Sequence, residues 1–260
     1  MKIAVNGIQI NIRERGRGEP NLVFLHYWGG SSRTWEEVIE HLADQHRAIA
    51  LDHRGWGESD APARGYSIAD LANDAQAVID ALELKRYVVV GHSMGGKTAQ
   101  LLASRRPAGL LGLVLVAPSP PSPTVLPDEQ REALLHVYDS RESIAYARDH
   151  IITALPLTEA QKERVIEDSL RGAPAAKQAW PTQAMLEDIR SEVRRINVPT
   201  LVLSGEHDQV DPATRLREEL LPYISGSQLQ ILPQAGHLPM LEAPAAVAQA
   251  IRQFVAKLSK

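Results

Sequence analysis

"GHSMGGKT", Gly91 to Thr98, satisfies two motifs at once. Read as G-x-S-x-G it is a nucleophile elbow, with Gly91, Ser93 and Gly95 in register and the serine at the apex. Read as G-x-x-x-x-G-K-[ST] it is a phosphate-binding loop made of Gly91, Gly96, Lys97 and Thr98. Both need a strand before them and a helix after them. "YVVV" (Tyr87–Val90) has the apolar, β-branched character of a short buried strand, and "TAQLLASRR" that of a helix, so the immediate context serves either motif.

Working outward, the chain shows the repeating cycle of a parallel sheet. "NLVFLH" (Asn21–His26), "HRAIALD" (His46–Asp52), "YVVVG", "LLGLVLVAP" (Leu110–Pro118), "VPTLVLSG" (Val198–Gly205) and "LQILPQAGH" (Leu229–His237) are compact apolar runs. "SIADLANDAQAVIDAL" (Ser67–Leu82) has apolar residues at helical spacing behind a serine placed to cap it, and "PAAVAQAIRQFVAKL" closes the chain as a second amphipathic helix. At the N-terminus, Asn6-Gly7 between alternating apolar positions predicts a hairpin. Continuous apolar strands separated by helices imply a mostly parallel, doubly wound sheet covered on both faces. One stretch breaks the cycle. After the proline-rich exit "PSPPSPTVLP" four helical patterns follow, at Asp128–Tyr138, Arg141–Thr153, Thr158–Leu170 and Ala176–Arg194, with no strand among them. The expected organisation is a core of residues 1–118 and 196–260 carrying a helical cap, or lid, at 119–195.

Composition narrows the partners. The chain has 260 residues, long enough for one sizeable α/β domain, and its 28 Lys+Arg against 32 Asp+Glu give a net charge of −4. That balance argues against nucleic acid as a partner, and no apolar run reaches the length of a membrane span. The absence of cysteine removes disulfides, thiolate metal sites and cysteine nucleophiles together. The nine histidines show neither H-x-H nor H-E-x-x-H spacing, so no metal site is expected. "MKIAVNGIQINI" lacks the apolar stretch and cleavage site of a signal peptide, which makes a cytoplasmic location the default expectation. Oligomeric state is not legible.

The rest of the chain separates the two motifs. A serine hydroxyl is a weak nucleophile unless a base lies within hydrogen-bond reach and a third group orients that base. Asp208 in "GEHDQVDP" and His237 in "AGHLPMLEAP" each follow the C-terminal end of an expected strand, where open parallel sheets bind their ligands. The phosphate-loop reading lacks its accessories: the strand after it ends "LVLVAPSPP" without a carboxylate, and several strands precede it instead of one. The hydrolase reading is therefore preferred, and Gly96-Lys97-Thr98 becomes the first helical turn, with Lys97 expected to be solvated or to snorkel. Asp52 and Arg54 are expected to pair within their turn, and His26, His92 and His207 to pack or hydrogen-bond beside functional loops. Glu206 and Asp211 flank Asp208 and rival it as the acid.

With these stretches in view the chain resembles the α/β-hydrolase family, in particular its small cap-bearing esterases, C–C hydrolases and cofactor-free haloperoxidase-like perhydrolases. The resemblance spans nearly the whole length and rests on "LHYWGG", "LDHRGWGESD", "GHSMGG", "GEHDQV" and "GHLPMLEAP". It implies Ser93 as nucleophile, His237 as base, Asp208 as orienting acid, and the backbone N–H groups of Trp28 and Met94 as the oxyanion hole. It implies a serine hydrolase of small carboxylic esters or lactones that needs no cofactor, with perhydrolase or C–C bond hydrolase chemistry as the alternative. A binding module on the same scaffold would not require all three triad residues. The chain departs from the family at Tyr27, where glycine usually follows the histidine of the oxyanion loop. Its ring is expected to form a wall of the substrate pocket, the alternative being a phenol that donates to the oxyanion. Tyr138, Tyr146 and Trp180 either line that pocket or pack the cap's own core.

Overall fold

The structure is a computed structural model that describes residues 1–258. Its strands are β1 (Lys2–Val5), β2 (Ile8–Arg15), β3 (Asn21–Leu25), β4 (Ala48–Leu51), β5 (Tyr87–His92), β6 (Leu110–Val116), β7 (Thr200–Gly205) and β8 (Gln228–Leu232). They form one sheet in the order β1-β2-β4-β3-β5-β6-β7-β8, antiparallel at β1/β2 and β2/β4 and parallel elsewhere. The helices are α1 (Glu36–Leu42), α2 (Ile68–Ala81), α3 (Met94–Ser104), α4 (Asp128–His136), α5 (Arg141–Ala147), α6 (Glu159–Arg171), α7 (Pro174–Thr182), α8 (Arg190–Val193), α9 (Ala213–Glu219), α10 (Pro239–Glu242) and α11 (Pro244–Leu258).

The strands are apolar without interruption because both faces are covered. Side chains alternate along a strand, so each strand divides its residues between two cores. Leu22, Phe24, Val88, Val90, Val114 and Val116 face one way and meet Trp35, Val38 and Leu42 around α1 and Val247 and Ile251 of α11. Val23, Leu25, Val89, Leu113, Leu115 and Val202 face the other way, against Ala72, Ala75 and Val78 of α2 and Ala99 and Leu102 of α3. Each such fully buried side chain contributes about 1.5–3 kcal/mol relative to exposure. The hairpin turn at Asn6-Gly7 has φ of 50° and 78°, the left-handed pair that two-residue hairpins require. Ser67 caps α2 by accepting from the Asp70 N–H while the Asp70 carboxylate accepts from the Ser67 N–H.

Between β6 and β7 the chain has no strand and carries α4 to α8 after a non-helical stretch at 117–127. Two boundaries differ from expectation. The third-quarter pattern Arg141–Thr153 is α5 followed by a π-helical turn over Arg148–Ile152. The pattern Ala176–Arg194 is split, because Pro181 lies in the last turn of α7 and the chain leaves the helix at Gln183 before re-forming α8. No helix of the described residues is long and apolar enough to cross a membrane.

Candidate active site

Ser93 sits between the end of β5 and the start of α3 with φ 51° and ψ −115°, a conformation that non-glycine residues rarely hold. It is held there by crowding. A Cβ at Gly91 would lie 2.3 Å from the Gly95 carbonyl oxygen, and one at Gly95 would lie 2.5 Å from the carbonyl oxygens of Leu25 and His26. The two glycines of the motif thus let β5, α3 and the end of β3 approach within backbone contact, which lifts the serine above the sheet. Lys97 N–H makes the first helical bond, to the Ser93 carbonyl, so the Met94 N–H remains among the free donors of the first turn.

The loops after β7 and β8 bring the other two expected residues to the serine. His237 Nε2 is 3.0 Å from Ser93 Oγ, and its Nδ1 is 2.9 and 3.1 Å from the two carboxylate oxygens of Asp208. Asp208 Oδ1 also accepts from the N–H groups of Val210 (2.8 Å) and Asp211 (3.0 Å). Burial works against its charge, yet His237 and these donors outweigh burial and hold the carboxyl below its ordinary value. Burial likewise works against a charged His237, and Asp208, with Asp211 and Glu242 behind it, more than compensates; the imidazole is raised above 6.5. The rival acids are otherwise occupied. Glu206 is exposed and accepts from the Gln234 N–H, while Asp211 pairs with Arg215 Nη1 at 2.9 Å.

The loop after β3 supplies the expected oxyanion donor by a chain of fixed contacts. His26 is fully buried; its Nε2 accepts from the His53 N–H at 3.0 Å, so its Nδ1 carries the proton and donates to the Tyr27 carbonyl at 2.7 Å. Burial holds this imidazole neutral, with a pKa lowered to about 4. The Gly30 N–H donates to the same carbonyl at 3.0 Å. In a trans peptide the N–H points opposite to its carbonyl, so pinning the Tyr27 oxygen fixes the direction of the Trp28 N–H. That N–H has no protein acceptor among the described residues. The 119–195 segment holds the same loop: Tyr138, in the turn after α4, donates to the Trp28 carbonyl (2.6 Å), and on α6 Ser169 donates to the Gly29 carbonyl (3.0 Å) while Asp168 accepts from Ser31 Oγ (2.7 Å).

A cavity of about 310 Å³ opens above Ser93 and His237. Tyr27, Tyr138 and Trp180 line it; Tyr27 is 4% exposed, with its ring 5.1 Å from that of His92, and burial together with the Asp168 charge raises its phenol well above the usual range. Tyr146 does not line it: the ring is exposed and stands 4.6 Å from His150 on the outer surface. Three further expectations are corrected. Lys97 is neither solvated nor snorkelling. It is fully buried, because every residue of α3 is, and its Nζ donates to the Ser122 and Met185 carbonyls at 3.1 and 3.4 Å. Asp52 and Arg54 do not pair with each other. Asp52 accepts from the N–H groups of Ser32 and Glu58, whereas Arg54 forks onto Asp74 of α2. His207 is exposed rather than packed, while His92 is buried and hydrogen-bonds through Nε2 to the His237 carbonyl at 2.7 Å. Sequence reasoning missed Glu242 altogether. Its carboxylate accepts from the N–H groups of Gly236 and Leu238 beside His237, and from Ala154 and Leu155. Its only signal was its place at the end of "GHLPMLEAP". Among the described residues no group of three or more His, Asp or Glu is disposed to hold a metal ion.

Known proteins share this arrangement of strands and helices. The 2-hydroxymuconate semialdehyde hydrolase of a Pseudomonas species is 30% identical over 271 residues, covering 98% of this chain and 93% of that protein. The non-heme haloperoxidase of Rhodococcus erythropolis is 26% identical over 250 residues, covering 90% and 91% of the two chains. The solved structure of an esterase from Exiguobacterium antarcticum superposes with a TM-score of 0.88 at 25% identity, covering 99% of this chain and 98% of that one. A family model of the α/β-hydrolase fold matches residues 20–165, the stretch that holds β3, the serine elbow and most of the helical segment. With the sheet order, the elbow and these likenesses together, the chain belongs to the α/β-hydrolase fold family.

Proposed function

We propose that this protein is a serine hydrolase of small carboxylic esters or lactones, with Ser93 as nucleophile, His237 as base and Asp208 as orienting acid. The observation that carries the reading is the unbroken line from Ser93 Oγ through His237 to the Asp208 carboxylate. In the forward step Ser93 Oγ bonds to the carbonyl carbon and His237 Nε2 takes its proton. The carbonyl oxygen becomes an anion against the Trp28 and Met94 N–H groups, donors of a kind whose removal typically costs about 2.7–4 kcal/mol. Collapse expels the alcohol, which receives the proton from His237; in a lactone it stays tethered to the acyl group. Water then attacks the acyl carbon, His237 takes its proton and passes it to Ser93 Oγ as the bond from Oγ to the acyl carbon breaks, and the acid leaves. In this reading residues 119–195 act as a cap over the cavity and Tyr27 forms part of its wall.

The test is a panel of p-nitrophenyl esters of graded chain length with simple lactones, run beside peracid formation and cleavage of a diketone. Ester or lactone turnover should dominate, and Ser93→Ala should lose roughly 10³–10⁶-fold while keeping its fold by circular dichroism. Preferential diketone cleavage would favour the C–C hydrolase chemistry instead; the semialdehyde hydrolase of Pseudomonas is the relative that makes that arm necessary. Ester turnover that survives in the alanine variant would falsify the triad.

A further inference from the structure

The cavity has an apolar and a charged side. Leu134, Val137, Ile144, Ile152 and Val165 line it from the helical segment, whereas Thr124, Asp211 and Arg215 line it from the exit of β6 and the loop after β7. Arg215 is the one lysine or arginine among the described lining residues. Its charge is already matched by carboxylates, although not every N–H has an acceptor. Nη1 meets Asp211 Oδ1 at 2.9 Å, Nη2 donates to Thr124 Oγ1 at 2.8 Å, and Nε lies 3.3 Å from Glu219 Oε2. Glu219 in turn accepts from Ser122 Oγ. Lys97, which feels the charges of Arg215 and Asp211, is fully buried and donates to two main-chain carbonyls. Two carboxylates therefore hold one guanidinium, and a third carboxylate brought into the cavity would meet Asp211 on the lining beside Arg215, with the charges of Asp208 and Glu219 close behind it.

We infer that the site selects uncharged substrates, with a hydrocarbon portion under the cap helices and a neutral, hydrogen-bonding group toward Arg215, and that it discriminates against substrates carrying a free carboxylate. The inference rests on the esterase reading for the identity of the scissile bond, but not for the charge selection, which follows from the corner alone. Asp211 is the controlling residue. Burial pushes its carboxyl up to about 7, with Asp208 and Glu219 acting in the same direction and His237 and Arg215 against them; Lys97 also feels its charge. Discrimination should therefore weaken below neutral pH, as Asp211 takes up a proton and loosens its hold on Arg215.

Two measurements test this. Binding of suberamide and of suberamic acid, neutral and anionic partners of one chain length, can be followed by the fluorescence of Trp28 and Trp180, which both line the cavity. The diamide should bind on the order of 10-fold tighter or more, since like-charge juxtaposition in a partly desolvated site is costly. Kinetics of matched p-nitrophenyl esters with and without a terminal carboxylate should give the same preference in kcat/KM. Asp211→Asn and, further from the triad, Glu219→Gln should each lower that neutral-to-anionic ratio, by about 3-fold or more for Asp211→Asn and less for Glu219→Gln. The ratio cancels any common effect on His237. Equal affinities in the wild type, or a ratio unmoved by both substitutions, would overturn the inference. Diamide binding without turnover of any ester would instead sink the esterase reading and leave the charge selection standing.

Discussion

Lys97 carries the cost of a buried ammonium that two carbonyls and the charges of Glu187, Asp211 and Asp188 only partly offset, and burial lowers its pKa to about 8 from an ordinary value of 10.5. For a base whose folded pKa is depressed, the penalty is complete below the folded value and is relieved as pH climbs toward the unfolded one. Wild-type stability should therefore gain on Lys97→Met between pH ~8 and ~10.5, by about 3 kcal/mol at most. Urea unfolding of both proteins across that range measures it, and a pH-independent difference would mean that the ammonium is better solvated than its surroundings suggest. Ser122 and Met185 lie near the two ends of the helical segment, so the Lys97 side chain ties both to α3. Neither the burial nor the partners were legible in "GGKT". A residue's chemistry is written in its sequence, but its partners are chosen by the fold. Ser93, Asp208 and His237 could be read because their chemistry demands one another. Asp52 and Arg54 could not, because Asp74, the true partner of Arg54, arrives on a different helix.

Among the elements, the strands were the most legible, since residues such as Val88, Val89 and Val90 are apolar on both faces only in a covered sheet. The helical segment was less so, because a periodic pattern does not show where Pro181 will end α7 or where a π turn will extend α5. Least legible was the single turn of α10, whose importance lies in Glu242. This carboxylate gathers N–H groups from both sides of His237 and from Ala154 and Leu155, so it joins the His237 loop to the helical segment. Glu242→Ala leaves those donors without their charged acceptor and should cost about 2–3 kcal/mol, seen as a fall of several degrees in Tm. Glu242→Gln makes the finer test. The Glu242 charge helps raise the pKa of His237, and in the proposed mechanism His237 must be neutral to act, so kcat/KM should rise with pH through a value above 6.5. Removing the charge should move that acid limb to lower pH. Lower stability with an unmoved limb would reduce Glu242 to scaffolding.

At the scale of the whole molecule, the helical segment is not uniformly attached to the sheet, and this sharpens the proposal that it works as a cap. α6 is anchored. Val165 and Ile166 are buried, Gln161 Nε2 reaches Glu37 of α1 and the Leu241 carbonyl, and Asp168 and Ser169 hold the oxyanion loop. α4 has no buried residue, yet Gln130 and Leu134 on it line the cavity. Opening of the site is therefore assigned to α4 and its proline-rich approach, with α6 remaining part of the rigid frame. Local opening free energies run from near zero for weakly packed segments up to the global value for core elements. Amide hydrogen exchange in residues 128–136 should accordingly be faster than in 159–171 by about 10²-fold or more, while 159–171 should exchange nearly as slowly as β5 and β6. A phosphonate attached to Ser93 with an alkyl chain filling the cavity should slow 128–136 and leave 159–171 unchanged. Equal exchange in the two helices, or protection of α6 alone by the adduct, would mean that the cavity opens elsewhere and that the segment moves, if it moves, as one piece.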